Sequence, residues 1–138
     1  LEQGSGQIIN IASLAGKKGV SYNSIYSASK SGLIMWTDAI RQELSKTNVN
    51  ISVVCPGFVR DSGMFHDSGQ TAPKLLGSSS PQNVADAVLK SIQNNCAEVI
   101  VNPGPMKPLL ALNQISPKLG DWVIKFFGIP EMNRKRIE

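Results

Sequence analysis

Three side chains in this 138-residue sequence have the types and spacing to do chemistry: Ser13, Tyr26 and Lys30. Tyr26 and Lys30 are four residues apart, which puts both on one face if the segment is helical. A phenol is ordinarily too weak an acid to exchange its proton at neutral pH, and a neighbouring ammonium favours the phenolate. A tyrosine with such a partner can donate a proton to a developing alkoxide or take one from an alcohol. A serine hydroxyl beside it can hydrogen-bond the same oxygen and hold the reacting geometry. Taken singly these signals have plainer meanings. A tyrosine four residues before a lysine usually marks a helix-surface contact, and a serine at a strand end usually caps it. Tyr22, the second tyrosine, has Tyr26 and not a cation four residues on.

The elements that must position these residues are legible in outline. Gln7–Ser13, Asn50–Cys55 and Ala97–Asn102 are short runs rich in Val and Ile, bounded by turn residues; Pro56-Gly57 stops the second and Pro103-Gly104 the third. Such runs read as buried parallel strands. Between the first two the spacing predicts a helix from about Ser24 to Lys46, with Leu33, Trp36, Ile40 and Leu44 as its apolar stripe. Between the second and third, Ser80-Pro81 suits an N-cap and first helical position. Val84, Ala85, Val88 and Ile92 would form that helix's stripe. Strand, helix, strand, helix, strand predicts an α/β sheet with parallel strands and right-handed crossovers. Ser13 then ends a strand at the carboxyl edge of the sheet, where ligands bind in such folds. Residues 58–79 have no clear period, and a loop of that length is more often functional than accidental. The tail, residues 106–138, is interrupted by Pro108, Pro117 and Pro130 and should form short helices.

Ile9-Asn-Ile-Ala-Ser13-Leu-Ala-Gly16, Tyr26-Ser-Ala-Ser-Lys30-Ser-Gly-Leu33 and Val54-Cys-Pro56-Gly57-Phe-Val59 resemble, in order and spacing, the later motifs of the short-chain dehydrogenase/reductase family. The resemblance runs from about Gly6 to Asn102. It implies the C-terminal half of a Rossmann-type doubly wound parallel sheet over residues 1–105, with 58–79 as the variable substrate loop. By the same resemblance Ser13 would orient the substrate oxygen, Tyr26 would be the general acid/base, and Lys30 would assist Tyr26 and bind the nicotinamide ribose. Pro56, Gly57, Phe58 and Val59 would hold the nicotinamide ring through backbone groups. The cofactor would be NAD or NADP, NADP slightly preferred, and the substrate a small, apolar carbonyl or secondary alcohol. A homo-oligomeric full-length protein is also implied. The sequence departs from the family where a threonine usually follows the valine by two residues; here that residue is Asp61.

The chain starts without an initiator Met, and no G-x-x-x-G-x-G pattern follows any strand. The expectation is a piece of a larger domain whose phosphate-binding half lies elsewhere. An alternative is a non-catalytic remnant or interaction module, and the sequence preceding Leu1 would discriminate the two. Composition is that of a globular domain, 41% hydrophobic and 17% charged, with apolar runs too short to span a membrane. The net charge of +4 lies largely in the tail, including Arg134-Lys135-Arg136. That cluster is too small, and too poor in interleaved aromatics, to predict a nucleic-acid partner. Membrane contact through Trp122, Val123, Phe126, Phe127 and the lysines around them is a lesser alternative to a tail that covers the cleft or a dimer surface. Cys55 and Cys96 lack CxxC spacing, and with one histidine, His66, predict neither a metal site nor an oxidising compartment; the cytoplasm is expected. Phe58, Met64, Phe65, Leu75 and Leu76 are candidates for an apolar pocket, and His66 for an exposed loop residue.

Overall fold

The structure, a computed structural model, describes residues 2–135; Leu1 and Arg136, the last of the basic cluster, lie outside the described residues. Strands β1 (Gly6–Ile11), β2 (Val49–Pro56) and β3 (Glu98–Val101) form one parallel sheet in that order. Ile9 stands opposite Ser52, and Val54 opposite Val99. Helix α1 (Ser24–Glu43) connects β1 to β2. The long connection from β2 holds a four-residue helix, α2 (Met64–Asp67), and leads into α3 (Pro81–Asn94), which returns the chain to β3. The tail folds as α4 (Met106–Ile115), α5 (Pro117–Phe126) and α6 (Ile129–Arg134). No helix among the described residues is long and apolar enough to cross a membrane.

Strand side chains alternate between the two faces of a sheet. Val53 and Cys55 pack with Ala12 and with Ile34 of α1. Val54, between them, packs with Ala87 of α3 and Val101 of β3. The two helices therefore cover opposite faces, the doubly wound arrangement. Both connections step the same way across the sheet, so two right-handed crossovers would put both helices on one face. One crossover has the other hand, which corrects the expectation from sequence. The connection after β2 provides the means: it is long enough to change faces and is pinned by a Val59–Ser79 bridge before α3 begins.

The apolar stripes expected for the helices are met in part: Leu33 of α1 and Val84 and Val88 of α3 pack against the two clusters, while other members face out. In α1, Trp36 is half exposed, whereas Ser27, Ile34 and Thr37 are buried. The inward face carries polar groups with partners on the sheet, which an apolar count misses. Thr37 Oγ1 accepts from Asn10 Nδ2 at 2.8 Å, and Arg41 donates to the Ile51 carbonyl at 2.7 Å and the Asn95 carbonyl at 2.8 Å. In α3 the buried residues are Ala87 and Ser91, while Ala85 and Ile92 face out. Ser91 satisfies its hydroxyl internally by donating to the Ala87 carbonyl at 2.8 Å. The start of α3 is a capping box: Ser80 Oγ accepts from the Asn83 amide, and Asn83 Oδ1 accepts from the Ser80 amide at 2.9 Å.

Candidate active site

Ser13 follows β1 and caps a short 3-10 turn, Leu14–Gly16, accepting from the Ala15 amide at 3.1 Å. A hydroxyl that accepts in this way still has its proton to donate. The turn lies directly on the first half of α1, which requires Gly16. A β-carbon there would sit 2.6 Å from the Lys30 carbonyl carbon. On α1, Lys30 Nζ donates to the Ile11 carbonyl at 2.9 Å and stands 5.8 Å from the centre of the Tyr26 ring. The strand end thus anchors the ammonium, and the ammonium faces the phenol.

Pro56 ends β2, and the next residues are fixed through the main chain. Gly57 N–H donates to the Val101 carbonyl at 3.0 Å, the Phe58 carbonyl accepts from Ser79 at 2.8 Å, and Arg60 N–H donates to the Ser79 carbonyl at 2.9 Å. Among the described residues, the Val59 N–H enters no main-chain hydrogen bond. Gly57 packs so closely on Asn102 that a β-carbon would overlap the Asn102 Oδ1 atom.

Ser13, Tyr26, Lys30, Pro56, Gly57, Phe58 and Val59 all line one cavity of about 550 Å³. It opens at the carboxyl ends of the strands, where the covering helices change from one face to the other. Such a switch leaves a crevice in open α/β sheets. Ser13 therefore has both roles its position allows, as cap of the turn and as a hydroxyl lining the cavity.

The tail supplies the roof. Leu109 and Leu110 of α4, Val123 of α5, Phe127, and Met132 of α6 line the same cavity. Side-chain ties that hold these helices down include Lys18 to Asp121 at 2.6 Å, Asn133 Nδ2 to the Ser21 carbonyl at 3.1 Å, and Gln70 to the Met132 carbonyl. The Lys18 ammonium, by its hydrogen bond and its charge, holds the Asp121 carboxyl below its usual range. The roof contacts had no readable signal, because each joins residues far apart in sequence. Of the loop candidates, Phe58, Met64, Phe65 and Leu76 line the cavity, while Leu75 and His66 do not. His66 is exposed and pairs with its neighbour Asp67. Asp61 also lies outside the lining, exposed and paired with Arg60, and Ser62 lines the cavity in its stead. Cys55 is buried beneath the site, and burial pushes its thiol up to about 12, so it stays a neutral packing group.

The model of the short chain dehydrogenase family matches residues 1–73. The ketoacyl reductase HetN of Nostoc sp. (strain PCC 7120) is 58% identical over the whole of this chain and 50% of its own length. Carbonyl reductase family member 4 of Xenopus laevis is 39% identical over 64% of this chain and 39% of its own. The chain spans about half the length of the curated relatives it matches. Among solved structures, an actinorhodin polyketide ketoreductase with NADPH is 28% identical, with a TM-score of 0.59 over 72% of this chain and 47% of that one. A short chain dehydrogenase from Burkholderia cenocepacia in complex with NADP has a TM-score of 0.69 over 92% of this chain and 50% of its own; at 23% identity it speaks for the fold alone. With more than half of its length matched by the family model, the chain belongs to the short chain dehydrogenase family.

Proposed function

We propose that this chain is the proton-transfer and substrate-binding half of an NAD(P)-dependent oxidoreductase that interconverts a carbonyl and a secondary alcohol. The observation that carries the proposal is the convergence of Ser13, Tyr26 and Lys30 on one apolar cavity, with Lys30 anchored to the end of β1. The Tyr26 hydroxyl passes a proton to the carbonyl oxygen as that oxygen becomes an alkoxide, and takes one back in the reverse direction. The free proton of Ser13 hydrogen-bonds the same oxygen and fixes the carbonyl plane. The Lys30 ammonium keeps a positive charge beside the phenol.

The residues present fit the nicotinamide end of the cofactor. The Val59 N–H is unused by the main chain and lies in the cavity wall, so it can donate to a carboxamide oxygen. Lys30 can donate to ribose hydroxyls, and the walls of Pro56 and Phe58 exclude water from the ring. The nicotinamide, when bound, supplies or accepts the hydride. NADP is slightly preferred over NAD, in line with the NADPH of the ketoreductase structure. The substrate is an apolar carbonyl or alcohol, and we place the protein in the cytoplasm.

In the full-length protein carrying this chain, Tyr26→Phe should lower kcat by about 10²–10⁴-fold while cofactor binding persists. Normal turnover in that variant would sink the mechanism. Titrating the 138 residues alone with NADH and NADPH should show no tight binding. Micromolar affinity there would show instead that this half binds cofactor unaided.

A further inference from the structure

The cavity wall is largely apolar, and most of its polar side chains are committed elsewhere. Lys18 pairs with Asp121, Lys30 with the Ile11 carbonyl, Gln70 with the Met132 carbonyl and Asn133 with the Ser21 carbonyl. Asn113 of α4 is different: it lines the cavity, is only half buried, and makes no hydrogen bond among the described residues. Its place is built for it. Gly120 of α5 is buried against it, and any β-carbon at 120 would overlap the Asn113 side-chain oxygen. The α4–α5 pair thus carries a notch that seats an amide with no partner among the described residues. With its oxygen seated against Gly120, the amide of Asn113 lines the cavity and is available to a group that enters it.

We propose that Asn113 hydrogen-bonds a second oxygen of the substrate, separate from the reacting carbonyl. The substrate class is then a carbonyl compound whose apolar body carries a further carbonyl, ester or hydroxyl oxygen toward the α4–α5 roof. This rests on the oxidoreductase reading above. Asn113 is a specificity residue: a site that hydrogen-bonds a substrate oxygen discriminates against the analogue lacking it, because the amide is then left unpaired.

The test uses the full-length protein and two ketones of equal chain length, one plain and one with an ester oxygen along the chain. The wild type should prefer the ester-bearing ketone. Asn113→Leu should reduce that preference about tenfold, with the loss falling in KM for the ester-bearing ketone and exceeding any change for the plain one. Asn113→Asp, which keeps the shape but removes the NH2 donor, should lose the preference likewise, so the test survives a poorly folded leucine variant. Equal losses on both ketones, or an intact preference in both variants, would overturn the assignment. A wild type that reduces neither ketone would remove the oxidoreductase reading itself.

Discussion

The floor and the roof of the cavity are fastened by different means. The floor is held through main-chain groups: Lys30 to a strand-end carbonyl, Ser13 to a turn amide, and Gly57, Phe58 and Arg60 to Val101 and Ser79. Lys30 and Gly57 are tied to the sheet itself, at Ile11 of β1 and Val101 of β3. The roof's ties run instead to residues outside the sheet, Lys18, Ser21 and Gln70, and one of them is an ion pair with an exposed carboxylate. Exposed pairs of that kind contribute little and are screened by salt. Ser13, Tyr26 and Lys30 sit on the floor and apolar side chains on the roof, so the roof can change without rebuilding the arrangement of those three.

Substitutions can break or sharpen this contrast. The largest effect on stability is expected at the floor. Gly57→Ala forces a methyl into Asn102 and should cost about 1–3 kcal/mol, read as a lower denaturant midpoint. Ser80→Ala, which removes the capping box of α3, should cost about 1 kcal/mol. Asp121→Asn should leave melting essentially unchanged but speed amide exchange in α5; a melting loss as large as that of Gly57→Ala would erase the distinction. The smallest effect concerns pH. The Asp121 carboxyl is held below its usual value of 3.8, so its tie to Lys18 is fully present above that value and is lost as pH falls through the lower folded one. Protection of α5 should therefore be flat from neutral pH down to that range and drop below it. A change centred near neutrality would mean that another group holds the roof.

Much of the floor could be read from sequence, because it is built from local patterns: Val- and Ile-rich runs closed by Pro-Gly, a tyrosine and lysine one helical turn apart, and serine before proline at a helix start. The inward face of α1 could not. Thr37 and Arg41 count as polar by type, yet they point at the sheet because Asn10 and the Ile51 and Asn95 carbonyls need them. Trp36 fits the apolar period but lies a step off the contact line. The roof was illegible for another reason. Lys18 and Asp121, or Ser21 and Asn133, are brought together only after the sheet and loop have formed.

The change of face after β2 bears on the order of assembly. β1 and β2 pair across 43 residues and β2 and β3 across 45, so sequence separation does not order the two pairings, and the change of face does. β3 cannot dock until the loop has carried the chain around to the opposite side, and the roof cannot close until both are in place. Amides of β2 should then be protected first in a refolding experiment, those of β3 later and those of α5 and α6 last. The nascent protein would hold Ser13, Tyr26 and Lys30 in position before the chamber around them has closed.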